Sequence, residues 1–240
     1  MIVGNGLIAT AFLDYSEILG VVIFASGVSN SNEIRHEAFA REYNLLTNWC
    51  SKINEELLVY FSTCSIEDKE KINSPYVNHK LNMESIVKNC SNHIIFRLPQ
   101  LVGNSQNQHT LVNFLYSAIM SGKDFEVRQL ACRNLIDIED VYKVGRHIIE
   151  NKLFHNTIVN IASPKLVKVM DIVNILEKIT GKTANYHLSY TGNCCKIDIT
   201  QVEKIFEDLG ISFNENYVEN ILVKYYGVNK LFCMSAIQHR

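Results

Sequence analysis

The sequence has no apolar stretch long enough to cross a bilayer, only three prolines, a single tryptophan and no surplus of either charge. A membrane-spanning helix needs about 20 consecutive apolar residues, so an integral helical membrane protein is excluded. Met1 leads at once into a glycine turn, with no signal-peptide pattern, and the chain is expected to stay in the cytoplasm. With 23 basic and 25 acidic residues the net charge is -2, which removes any broad electrostatic attraction to nucleic acid or to an anionic membrane. The seven cysteines include no CxxC pair, and an odd, unpatterned set suits a reducing compartment better than a disulfide framework. There is no repeat, low-complexity run or proline-rich linker, so residues 1–240 are expected to form a single folding unit.

What is present is 47% hydrophobic, enough for one substantial core. Apolar runs at Val21–Ala25, Leu57–Phe61 and Ile94–Leu98 read as buried parallel strands, separated by segments of helical spacing at Asn32–Lys52 and Tyr76–Cys90. That alternation predicts an α/β chain with a doubly wound parallel sheet. Beyond Gly103 the pattern loosens. Thr110–Met120 reads as a helix ended by Ser121-Gly122, and Val169, Ile172, Val173, Leu176 and Ile179 mark a helix face that stops at Gly181.

Three clusters carry chemistry. Met1-Ile2-Val3 reads as a short strand, after which Gly4-Asn5-Gly6-Leu7-Ile8-Ala9 has the G-x-G-x-x-A form of a turn opening a helix. Such glycines permit a tight turn and close approach of a pyrophosphate, which the helix N-terminus attracts. The run Leu57–Ser65 ends in hydroxyls, and Ser62, Thr63 and Ser65 would emerge at the carboxyl end of a strand, where open parallel sheets bind ligands. In Ser74-Pro75-Tyr76-Val77-Asn78-His79-Lys80, Tyr76 and Lys80 stand four apart and share a helix face. A free tyrosine titrates near 10, and a neighbouring ammonium favours its phenolate. A tyrosine and a lysine at this spacing also suit a plain solvated helix.

Taken together, these segments resemble the extended short-chain dehydrogenase/reductase family, the nucleotide-sugar epimerases, dehydratases and reductases. Ser74-Pro75-Tyr76 through Lys80-Leu81 and Glu84 is similar to that family's catalytic helix, and Phe61-Ser62-Thr63 to the strand end with its catalytic Ser or Thr, aligned on Thr63. Phe96 to Gly103 is similar to the strand and loop beside the nicotinamide, Cys132 to Val141 to the family's R-D-F-I-H-V-D-D-V segment, and Val159-Asn160-Ile161 to the strand opening the C-terminal lobe. These likenesses run in family order over about two thirds of the chain. The resemblance implies a Rossmann-like sheet, an NAD or NADP cofactor and a nucleotide-sugar substrate. It implies catalysis by Thr63, Tyr76 and Lys80, and a cofactor held by Gly4, Gly6, Leu7, Ile8, Ala25, Ser26, Gly27, Lys80 and Pro99. Thr63, Gln100 and Arg133 would meet substrate, with the Arg133 guanidinium on the diphosphate. Residues 1–104 would supply mainly the cofactor sheet. Residues 105–240 would supply mainly a small substrate lobe, with segments returning to the sheet.

The departures narrow the reading. Only Asp14 to Gly20 separates the first helix from the strand at Val21, so the family's second and third strands are lacking. At the position of the usual acidic or arginine ribose discriminator stand Phe24, Ala25 and Ser26, and the adenine pocket is expected to be open or built from Ser26 to Asn32. Cys64-Ser65 replaces the Asp-Glu pair of family dehydratases, which argues against 4,6-dehydration. Gln100 stands where family enzymes often have Asn. The alternative to an enzyme is a degenerate member that binds a dinucleotide or sugar nucleotide without turnover, as a sensor or assembly partner. No metal site is expected: Cys194-Cys195 reads as two buried or loop thiols, and Cys90 with His93 is a half-site lacking its other half. His79 is expected on the surface, and Arg133 could instead form a surface ion pair with Asp137 or Glu139. Phe39 and Trp49 are expected to pack a helix of the kind that forms a homodimer interface in the family.

Overall fold

Leu57–Thr63 is buried along all seven residues, which a parallel strand must be when it has neighbours on both sides and helices on both faces. The computed structural model describes residues 1–227. Its elements, in chain order, are β1 (Ile2–Val3), α1 (Leu7–Ala11), β2 (Val21–Phe24), α2 (His36–Cys50), β3 (Leu57–Thr63), α3 (Pro75–Val87), β4 (His93–Leu98), β5 (Gln100–Val102), α4 (Leu111–Ser121), β6 (Phe125–Arg128) and β7 (Cys132–Arg133). They continue with β8 (Leu135–Asp137), α5 (Ile138–Glu150), β9 (Thr157–Asn160), β10 (Val167–Lys168), α6 (Val169–Thr180), β11 (Tyr186–Ser189), α7 (Glu203–Asp208) and α8 (Tyr217–Tyr226).

The chain forms two compact units, the first made of Met1–Pro99, Ile138–Ala162 and Ile197–Ile211. Its sheet has the order β1-β2-β3-β4-β9, with every pairing parallel. The strand of the glycine turn is thus bonded directly to β2, in the register Ile2 to Ile23 and Val3 to Phe24, and the expected loss of two outer strands is met. Successive side chains of a strand point to opposite faces, and β3 uses both. Tyr60 packs with Leu46 of α2 and Met83 and Val87 of α3, whereas Phe61 meets Phe12, just after α1, at 5.4 Å between ring centres. Phe12 in turn meets Tyr142 of α5 edge-on at 5.3 Å. Helices on both faces make the unit doubly wound.

Two helices differ at their ends from the sequence expectation. α2 starts at His36 rather than Asn32, because Asn30 to Arg35 is tied into a turn of its own in which the Glu33 carboxylate accepts from the Ile34 and Arg35 amides and from the Arg35 guanidinium. α3 ends at Val87, and Cys90 lies in the turn that follows.

The second unit comprises Gln100–Asp137, Ser163–Lys196 and the described residues from Ser212 to Gly227. Three short strand pairs, β5 with β8, β6 with β11 and β7 with β10, surround a core in which Leu115, Ile119, Val127, Ile172, Leu176 and Leu222 are buried. α4 and α6 end at Gly122 and Gly181, where the sequence placed their ends. One expectation is overturned here. Cys194 is not a thiol but forms a disulfide with Cys132, 62 residues away, a separation that no local cysteine spacing could reveal.

Candidate active site

The local sequence around Tyr76 fixes a helix start. The Ser74 hydroxyl accepts from the Val77 amide at 3.2 Å and Pro75 occupies the first turn, where its missing N–H is no loss. Tyr76 therefore stands in the first turn of α3 and Lys80 one turn further on, both buried. β3 ends at Thr63, whose side chain accepts from the Ser65 amide at 3.1 Å. Thr63, Tyr76 and Lys80 thus all belong to the first unit, Thr63 at the carboxyl end of β3 and the other two on α3, with Lys80 reaching Tyr60 of the same strand. Burial pushes the Tyr76 phenol above its ordinary value; the Lys80 charge and the nearby Thr63 hydroxyl pull it back, while Glu42 and Cys64 add to the rise. Ser62, one residue earlier, is turned elsewhere: its hydroxyl donates to Glu84 at 2.6 Å, and Glu84 also takes a two-pronged contact from Arg97 at 2.9 and 2.7 Å.

Lys80 has partners that the sequence reading missed. Its ammonium donates to Glu42 Oε1 at 2.9 Å and to the Tyr60 hydroxyl oxygen at 3.1 Å. Glu42, on α2, is fully buried; Oε1 also accepts from the Tyr60 hydroxyl at 2.6 Å, and Oε2 from the Val28 amide at 2.6 Å. Burial by itself pushes the Glu42 carboxyl up, but Lys80 and the hydrogen bonds from His79, Tyr60 and Val28 outweigh it and hold the group well below the usual carboxylate range. Tyr60 moves the other way, since burial and the adjacent carboxylate hold its phenol far above its ordinary value. His79 is not on the surface: it is 8% exposed, stacks on Phe39 with ring centres 4.6 Å apart, and shares a 2.9 Å hydrogen bond with Glu42. A signal for Glu42 exists in the sequence. Phe39, Glu42, Leu46 and Trp49 follow one helical stripe, and a carboxylate inside an apolar stripe requires partners.

The glycine turn fits a dinucleotide phosphate group. Gly4 has φ +126°, and a Cβ there would lie 2.4 Å from the Ala25 carbonyl oxygen, so the turn after β1 presses against the loop after β2 as only glycine allows. Gly6 caps α1 without any side-chain hydrogen bond, and a Cβ on it would meet nothing within 4 Å. Ser26 is held by Arg41, which donates to its hydroxyl at 3.0 Å and its carbonyl at 3.1 Å, and Pro99 closes the first unit after β4. A Cβ on Gly27 would meet Lys80 Nζ at 2.6 Å and Glu42 Oε1 at 3.0 Å.

Gln100 and Arg133 belong to the second unit. The Gln100 amide donates to the Asn134 carbonyl at 3.1 Å, and Arg133 Nη1 donates to the Cys132 carbonyl at 2.7 Å. Asp137, offered above as an ion-pair partner for Arg133, is bonded to Lys224 at 2.9 Å and to the Tyr225 hydroxyl at 2.7 Å. Cys90 meets His93 through its carbonyl and not its thiol, and among the described residues no group of three or more His, Cys, Asp or Glu is placed to hold a metal ion.

No protein-family model matches the sequence, and no curated protein does. Solved structures match the fold. UDP-glucuronic acid 4-epimerase from Bacillus cereus, in complex with UDP-glucuronic acid and NAD, superposes with a TM-score of 0.69 at 19% identity, over 95% of this chain and 79% of that one. UDP-glucose 4-epimerase from Thermus thermophilus, in complex with NAD, gives 0.66 at 12% identity over 91% and 80%. RMD from Pseudomonas aeruginosa, complexed with NADPH, gives 0.61 at 15% identity over 79% and 76%. What is shared at this identity is the fold, and it is the Rossmann-like fold that the sequence resemblance implied.

Proposed function

We propose that the protein is an NAD(P)-dependent oxidoreductase of nucleotide-linked sugars, acting as a keto-sugar reductase or as an epimerase that passes through a keto-sugar. The observation that carries this reading is the placement of three buried side chains at one end of the sheet, Thr63 as the last residue of β3, Tyr76 in the first turn of α3 and Lys80 one turn behind it. Nicotinamide, when bound, supplies the hydride acceptor or donor. Tyr76 holds and moves the proton of the sugar hydroxyl, and Thr63 orients the same oxygen. Lys80 offsets the cost of a buried phenolate and offers a donor to the nicotinamide ribose. Gln100 and Arg133 are assigned to the substrate, the guanidinium to its diphosphate. The fold likeness to epimerases bound to NAD, and to RMD complexed with NADPH, supports the class.

A second reading, a non-catalytic binder of a dinucleotide or sugar nucleotide, is favoured by one observation: the sheet stops at the two-residue β1, where the adenosine half of a cofactor would need further wall. One experiment separates the two. The protein is mixed with NAD, NADH or NADPH and a panel of UDP- and dTDP-sugars, and the absorbance of reduced nicotinamide is followed while the sugars are analysed by chromatography. Interconverted or reduced sugar is the expected result; binding without conversion across the panel would leave the binder.

A further inference from the structure

Two observations concern Lys80 rather than Tyr76. Glu42 is the only carboxylate bonded to the Lys80 ammonium among the described residues, and it gathers donors from three separate pieces of the first unit: Val28 after β2, Tyr60 on β3, and His79 and Lys80 on α3. A carboxylate offers about four lone-pair sites, and all of Glu42's are used. The Lys80 ammonium has three donors by its chemistry. Two go to Glu42 and Tyr60, which leaves one for a ligand. The main chain at Gly27 passes so close that an added Cβ would sit 2.6 Å from Nζ, so the ammonium is confined from that side as well.

We propose that Glu42 is the positioning residue for Lys80, fixing its ammonium one turn behind Tyr76 and tying it to the 25–28 loop that follows β2. This rests on the reading of Lys80 as the lysine that holds the cofactor. A carboxylate placed only to pin α2 on α3 would stabilise the fold whether or not Lys80 were present. A carboxylate that acts by placing Lys80 has nothing to act on once the ammonium is gone. The two cases differ in additivity.

The test titrates NADH, followed by its fluorescence, into the wild type, Glu42→Gln, Lys80→Met and the double variant, with circular dichroism confirming that each is folded. Each single substitution is expected to weaken NADH binding by about tenfold or more, and the double variant to bind no more weakly than Lys80→Met. Losses that multiply in the double variant, or an unchanged affinity in Glu42→Gln, would overturn the proposal while leaving the cofactor role of Lys80 intact. Wild-type affinity in Lys80→Met would overturn that role and the proposal with it. Should Glu42→Gln not fold, Glu42→Asp keeps the charge but draws it back by one methylene, and the same comparison with its Lys80→Met double decides the matter.

Discussion

A phenol shielded from water gives up its proton reluctantly, and Tyr76 shows the competing influences in one place: burial raises its titration, Lys80 and Thr63 lower it, and Glu42 raises it again. Tyr76→Phe removes only the ionisable oxygen. Turnover is expected to fall by about 10²- to 10⁴-fold with NADH affinity nearly unchanged, and steady-state kinetics beside a binding titration would show whether that split occurs. Arg133→Ala should cost about 1.5 to 3 kcal/mol of substrate binding, read as a higher KM for a nucleotide sugar at constant cofactor Kd. Glu42 gives a pH signature. Its folded-state carboxyl lies below the unfolded value of about 4.3, so its contribution is full above that value and is lost as pH falls towards the depressed one. Denaturant unfolding measured between neutral pH and about pH 3 should show wild type losing stability more steeply than Glu42→Gln. Thr63 and Tyr76 were legible in the sequence because a strand end and a capped helix start have local signatures. Glu42 left only the trace of a carboxylate in an apolar stripe, and its partners could not be read, because they come from elements far apart in the chain.

At the level of elements, buried parallel strands announce themselves as unbroken apolar runs, and β2, β3 and β4 fall where such runs predict them. The first residue of α2 does not announce itself. Glu33 and Arg35 bond each other and the local backbone, and that private network displaces the helix start to His36. The Cys132–Cys194 bridge was hidden for a different reason, since it joins β7 to a segment beyond β11. The loop after β2 offers a sharp test of how elements share the site. Gly27→Ala would put a methyl carbon where the Lys80 ammonium and the Glu42 carboxylate already sit, at 2.6 and 3.0 Å. One of them must shift, and NADH affinity is expected to drop about as far as in Lys80→Met. An alanine variant that binds NADH like the wild type would mean that the loop gives way without disturbing the lysine.

For the whole molecule, the doubly wound sheet was legible because strand-helix alternation admits few arrangements, and its truncation followed from the short interval between Gly6 and Val21. With the sheet ending at β1, no acidic residue or arginine occupies the usual place for reading the adenosine ribose. NADH and NADPH are therefore expected to bind with affinities within about tenfold of each other, as paired calorimetric titrations would report. A strong preference for NADPH would direct attention to Arg41, whose guanidinium is already held at Ser26.

The order of strands in the sheet also sets an order in time. β1 to β4 pair with their successors along the chain, but β9 reaches β4 only after the whole segment Gln100–Asp137 has intervened, and its approach joins His93 to Asn156 across 63 residues. Closing so long a loop is entropically slow. Thr63, Tyr76, Lys80 and Glu42 all lie in the part that can assemble beforehand. Pulse-labelled hydrogen exchange during refolding should find the amides of β2 and β3 protected ahead of those of β9, so the corner proposed for catalysis would take shape while the far edge of its sheet is still open.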